Sequence, residues 1–222
     1  MAMRQSRKLL LLGSGGHYQS VTDSLLSLSI YDEIGIVSKN GTELSDLNNS
    51  KLLGLFEVGK EENLTQLFQN GYKEAFITVG SIGNTDTRRR LYQILKQIGF
   101  YIPNIIDRSA VVSVRAELGE GIYVGKNAVI NAYSIIGNCA IINTASVIEH
   151  SCYVGDFVHV APGSTLCGEV IIAEGTHIGA GSVIKQGVHI GSESMIGMGS
   201  IVLHDIEGSV VAYGNPCKVI KS

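Results

Sequence analysis

The 222-residue chain contains no tryptophan, and aromatic residues make up only 6% of it. Charged residues are scarce as well, 17% against the ~25% of an average domain. With a net charge of −3 and no large Lys/Arg cluster, the chain lacks the electrostatic footprint of a nucleic-acid binder. The one run of three, Arg88-Arg89-Arg90, reads as a solvated helix face. No apolar stretch approaches the ~18 residues of a transmembrane helix. The start, MAMRQSRKLLLLGSGG, has an apolar run of Leu9 to Leu12 only. That is shorter than the ~7–15 residues of a secretory hydrophobic region, so a first β-strand is expected there. Cys139, Cys152, Cys167 and Cys217 show no C-x-x-C spacing and read as reduced thiols of a cytoplasmic protein. At 45% apolar residues the chain is no disordered segment. What it has in excess is glycine, 27 residues where ~7% is usual, which points to tightly turning β structure.

That excess belongs to a repeat. From Val112 every sixth residue is Ile, Leu or Val, through Leu118, Val124, Ile130, Ile136, Ile142, Ile148, Val154, Val160, Leu166, Ile172, Ile178, Ile184, Ile190, Ile196 and Val202. The next position is mostly Gly or Asn, and the fifth is mostly small, as at Ala128, Ser134, Ala140, Ser146 and Ser164. A helix cannot use a period of six, and glycine this dense costs ~1 kcal/mol per helical site. A β-solenoid can, with one short strand and one turn per hexad and three hexads per triangular coil. The aliphatic residue points inward, the small fifth residue fits the corner, and Gly and Asn are expected to supply the φ > 0 turn positions. About five coils at ~4.8 Å per rung give a prism roughly 24 Å long.

The first half alternates strands and helices, which implies a small parallel, Rossmann-like α/β sheet. Strands are expected at 8–12, 33–37 and 75–79, with helices to about 29, around 61–69 and near 85–98. Gly13-Ser14-Gly15-Gly16-His17 joins the first strand to a helix, and Gly80-Ser81-Ile82-Gly83 leads into another. Such a turn presents backbone N–H groups at a helix N-terminus, where a phosphate can sit. Tyr18 stands where a dinucleotide fingerprint has its last glycine, and Lys39 follows the second strand where that fold carries an acid, so NAD is disfavoured.

Together these features resemble a known family. A G-x-G-G-H head joined through Pro103-Asn104-Ile105-Ile106 to hexapeptide repeats is similar to the sugar acyltransferases of the sialic acid O-acetyltransferase type. Their close relatives are the UDP-4-amino-sugar N-acetyltransferases. The likeness includes the segment from Asn143 to His150, the following Gly155-Asp156-Phe157-Val158-His159 and the ending Gly214-Asn215-Pro216-Cys217-Lys218. It implies a left-handed parallel β-helix, a homotrimer with active sites between neighbouring prisms, and acetyl-CoA as co-substrate without a metal. The expected domains are a nucleotide-sugar-binding head at 1–106 and an acetyl-CoA-binding catalytic β-helix at 107–222.

Acetyl transfer from a thioester needs a base, a donor for the tetrahedral oxyanion and a groove for the pantetheine arm. His150, on a turn, is the expected base, a role the family gives the histidine at this position. The family often has an acid next; here Ser151 follows, so Ser151 orients the ring as a neutral partner, Glu149 or Asn143 takes the role, or the base is weaker. Spacing by 18 stacks His150 under Gly168, the candidate oxyanion donor, and His159 under His177. The resemblance implies that His159, Ala180 and Met198 contact acetyl-CoA, whereas His177 reads as a solvated turn residue. In the head it puts sugar near Gly15, Gly16, His17 and Gly80, with Ser38 and Lys39 where UDP-sugar enzymes carry two acids. The short Cys217-Lys218-Val219 tail is expected to pack over the last coil. The expected acceptor is an amino group of a sugar or nucleotide-sugar, or alternatively a hydroxyl of a sialic-acid-like sugar. Two further alternatives are a non-catalytic scaffold and a zinc anhydrase, which would need a third histidine at the spacing of His159 and His177.

Overall fold

The computed structural model describes residues 6–38 and 55–221; Lys39 lies outside them. It forms two compact units, residues 1–80 with 87–103 and residues 81–86 with 104–222.

In the first unit, β1 (Lys8–Leu12) is followed by α1 (Gly16–Leu28), β2 (Glu33–Ser38), β3 (Phe56–Lys60), a 3₁₀ turn (Glu61–Asn63), α2 (Leu64–Gln69), β4 (Glu74–Ile77) and α3 (Asp86–Ile98). The strands form one parallel sheet in the order β3-β2-β1-β4. The continuous run Leu9 to Leu12 is its buried centre, as a strand covered on both faces requires. Sequence reading missed β3, whose FEVGK carries neither an apolar run nor a clean alternation. The arginine run is not one solvated face, because Arg88 is 3% exposed while Arg90 reaches Glu61 at 2.8 Å. Arginines three positions around a helix cannot all face water when one stripe of that helix is buried.

The second unit is a left-handed parallel β-helix. Two-residue strands run from β5 (Ile105–Ile106) to β21 (Ile201–Val202) and stack eighteen residues apart, as in Ile141↔His159 and His159↔His177. They make three sides of a prism. One side has eight strands, one six and one five. The inward aliphatics from Val124 to Val202 form a continuous core, each at most 1% exposed. The small fifth residues are buried too, and their hydroxyls close the corners. Ser134 donates to the Glu149 carbonyl at 2.7 Å and Ser164 to that of Gly179 at 2.8 Å.

The left-handed turn position is not where Gly and Asn were expected. It falls two residues later, at Asn127, Tyr133, Cys139, Ala145, Ser151, Phe157, Glu169 and Glu193 as well as at several glycines. The glycine right after each inward aliphatic serves close approach instead. A Cβ on Gly137 would lie 2.6 Å from the backbone N of Asp156, and one on Gly155 2.7 Å from that of Glu174. The carboxyl-terminal β22 (Val211–Gly214) and β23 (Cys217–Lys221) form a hairpin that ends the eight-stranded side, with Cys217 against the core. The tail therefore extends a side of the prism, because its backbone groups find ladder partners there. Among the described residues no helix is long and apolar enough to cross a membrane.

Candidate active site

Each coil makes three turns, so residues eighteen apart stack along an edge. The turn between β12 (Val147–Ile148) and β13 (Tyr153–Val154) joins the six-stranded to the five-stranded side. It carries His150, whose exposed ring lies against Gly168 of the next coil. A Cβ at 168 would stand 2.6 Å from His150 Nε2 and 2.7 Å from Cε1. Only glycine leaves that ring in place. The coils are held in register here by Glu169 N–H on the His150 carbonyl (2.9 Å) and Gly187 N–H on the Gly168 carbonyl (3.0 Å). Among the described residues the Gly168 N–H itself donates no hydrogen bond.

Ser151 sits in the left-handed conformation (φ 60°) and brings its Oγ to 3.4 Å from His150 Nδ1, a long contact. A proton on Nδ1 shared with this hydroxyl leaves the lone pair on Nε2, the nitrogen over Gly168. Of the three residues expected to orient the ring, Ser151 is the one in reach. Among the described residues no hydrogen bond joins Glu149 to it. Asn143 does not take that role within this chain, because it lies one turn earlier, on the edge between the eight- and six-stranded sides. There its Nδ2 is 3.2 Å from His159 Nε2, and its Oδ1 accepts the Thr144 N–H at 2.8 Å.

This second edge is apolar. A cleft of about 320 Å³ opens along it, lined by Ile82, Pro162, Ala180, Met195 and Met198 with His159 and His177. The three residues expected to hold the cofactor, His159, Ala180 and Met198, thus share one cleft. His159 Nδ1 is 2.8 Å from the Ser81 carbonyl. A carbonyl only accepts, so the proton sits on Nδ1 and Nε2 accepts from the Asn143 amide. His177 corrects its reading as a solvated turn residue. It lies in the strand β17 (His177–Ile178), 9% exposed, its ring 4.8 Å from that of His159 at an interplanar angle of 73°. Burial lowers its pKa below the ordinary 6.5 and favours the neutral ring. The structure places it there because the coil register fixes position 177 on the strand, one residue before the inward Ile178. His189 is on the five-stranded side, and among the described residues no three His, Cys, Asp or Glu gather for a metal ion.

In the first unit, α1 starts after Gly15, an N-cap without a side-chain hydrogen bond. A Cβ on Gly15 or Gly16 would meet nothing within 4 Å. The space beside both glycines is open, and this thirteen-residue helix has no acid in its first turn. Gly80 packs on His17, where a Cβ would come to 3.2 Å from the histidine Cβ. Gly15, Gly16, His17 and Gly80 are thus gathered in one place. Ser38 is buried at the end of β2 and donates to Glu57 Oε1 of β3 at 2.7 Å, a partner hidden from sequence reading along with β3.

The family model described as the PglD N-terminal domain matches residues 8–95. Models for the bacterial transferase hexapeptide and for the hexapeptide repeat of succinyl-transferase match 151–186 and 169–204. Among solved structures, the chain is similar to perosamine N-acetyltransferase from Caulobacter crescentus, crystallised as a histidine-to-asparagine mutant with CoA and GDP-perosamine. The two share 33% identity over 97% of each chain, with a TM-score of 0.88. It is likewise similar to the acetyltransferase domain of PglB from Neisseria gonorrhoeae in complex with acetyl coenzyme A. Identity there is 30% over 97% of this chain and 100% of that one, with a TM-score of 0.84. WeeI from Acinetobacter baumannii, 22% identical with a TM-score of 0.84, shares the fold.

Proposed function

Because this chain belongs to the hexapeptide-repeat sugar acetyltransferases with a PglD-type N-terminal domain, we propose that it moves acetyl from acetyl-CoA to an amino group of a nucleotide-linked sugar. The observation that carries this reading is the exposed His150 ring lying against Gly168, a glycine whose own N–H donates no hydrogen bond among the described residues. His150 Nε2 takes a proton from the amine as its nitrogen attacks the thioester carbonyl. The Gly168 N–H meets the developing oxyanion. The C–S bond then breaks, and the sulfur leaves as the thiol of CoA, with the proton returned through His150. Ser151 acts as the neutral partner of Nδ1.

The head, residues 1–106, binds the sugar nucleotide in this reading, with phosphate at the uncapped start of α1 by Gly15 and Gly16, and with His17, Ser38, Lys39 and Gly80 near the sugar. Residues 107–222 bind acetyl-CoA in the apolar cleft that His159, Ala180 and Met198 line. Within one prism, His150 and that cleft lie on different edges, a side apart. A site that needs both is completed by a second copy, which supports a homotrimer with one site per contact. Reduced thiols and a co-substrate of central metabolism support a cytoplasmic enzyme that serves bacterial surface glycans. The preference for an amine over a hydroxyl rests on the perosamine N-acetyltransferase being 33% identical.

The test is thiol release from acetyl-CoA with three acceptors, GDP-perosamine, a UDP-4-amino-sugar and free sialic acid. Release with either amino sugar is the expected result. Release with sialic acid alone would make the enzyme an O-acetyltransferase, and retention of CoA without turnover on any of them would make it a binding scaffold.

A further inference from the structure

His159 and His177 bring the ring nitrogens to an otherwise apolar cleft, and they are not equivalent. Both nitrogens of His159 are engaged, Nδ1 with the Ser81 carbonyl and Nε2 with the Asn143 amide. A ligand could bond to His159 only by displacing one of these. His177 has no such partners. Its Nδ1 is sealed from solvent without a hydrogen bond, and Nε2 is the nitrogen left to the cleft. Ligand pockets are built this way, with apolar walls and a few placed polar groups that fix orientation.

We propose that His177, rather than His159, makes the polar contact by which this cleft holds the pantetheine arm of acetyl-CoA. The inference rests on the acetyltransferase reading and names a residue within it. The arm carries two amides, each with one donor and one acceptor, and an uncharged imidazole can meet either at Nε2. The walls of Ile82, Pro162, Met195 and Met198 suit the methylene segments between those amides. His159 is then a positioning residue. Tied at both nitrogens, it presents its ring to His177 at 73° and fixes the orientation of that side chain.

The experiment is calorimetric titration of the full chain with CoA, which requires no turnover, alongside initial rates with acetyl-CoA. His177→Phe keeps a ring against His159 and removes both nitrogens; His177→Gln keeps a hydrogen-bonding end. The expected result is CoA affinity about tenfold weaker for His177→Phe and within about threefold of wild type for His177→Gln. The KM for acetyl-CoA should follow, with kcat and the KM for the sugar unchanged, a split that a general loss of structure would not give. Equal affinity of His177→Phe and wild type would overturn the inference. So would equal losses in the two variants, since shape alone would then explain them. Wild type that bound no CoA would overturn the acetyltransferase reading itself, and this inference with it.

Discussion

Two edges of the same prism carry histidines to opposite ends. On one, His150 is exposed, stands on a glycine and has a single long contact to a serine hydroxyl. On the other, His159 and His177 are packed ring to edge above an apolar cleft, His159 held by two hydrogen bonds and His177 largely buried with its Nδ1 sealed from solvent. The same coil repeats along both edges. The difference comes from position in the hexad, with His150 on a turn and His159 and His177 in strands, and from the side chains around them. An exposed ring with one free nitrogen is suited to move protons, whereas a desolvated ring resists charging and suits binding. A solenoid thus gives one residue type opposite environments through the edge, and the position within the hexad, that it occupies.

That contrast can be broken first at its proton-moving side. His150→Ala is expected to lower kcat by ~10²–10⁴ with CoA affinity unchanged. Turnover at the wild-type rate by the folded variant would remove this edge from the chemistry. Gly168→Ala comes next. No left-handed φ is demanded at 168, so the added methyl acts only by pushing the His150 ring aside. A displacement of that kind costs about 10² in kcat, and a titration should show CoA binding intact. The cleft edge should answer in the other parameter. Ala180→Trp fills the cleft, and its expected effect is a KM for acetyl-CoA raised roughly tenfold or more at a nearly constant kcat. If instead kcat fell and KM held, the two edges would not divide the work as described.

The smallest effect separates the edges by pH. The pKa of His177 is lowered by burial, so the unfolded chain takes up a proton there before the native one does. Stability from this group is full above the unfolded value, near 6.5, and declines as pH falls from there through the lower folded value. Thermal melts between pH 7 and pH 5 should show wild type losing more Tm than His177→Phe. Equal slopes would mean that His177 is not held neutral.

The solenoid was readable from sequence because its period is local and strict. An aliphatic residue every sixth position fixes the strands, and arithmetic by eighteen stacks His150 with Gly168 and His159 with His177 without any coordinates. What the period does not encode was missed. The left-handed position fell on Tyr133, Phe157 and Glu169, because the coil imposes that turn whatever residue occupies it. Asn143 looked like a partner for His150 by closeness in sequence, yet the corner between them sends it to His159. The hold of Ser81 on His159 spans 78 residues and has no local signature. In the head, β1, β2 and the helices follow from apolar runs and the Gly-rich turn. The edge strand β3 has no such run, so the tie between Ser38 and Glu57 was out of view as well.

The central claim is that the proton-moving edge of one copy works with the acetyl-CoA edge of another. Co-expression of His150→Ala with Ala180→Trp tests it most directly, with thiol release from acetyl-CoA in the presence of GDP-perosamine as the readout. With acetyl-CoA well below the wild-type KM, His150→Ala alone should be nearly inactive and Ala180→Trp alone should run at about a tenth of the wild-type rate or less. The co-expressed population should regain roughly a quarter of wild-type activity, the share of contacts that pair an intact base edge with an intact cleft when copies assort at random in a ring. Mixed assemblies as inactive as either variant alone would place both edges of a working site on the same chain and contradict the account.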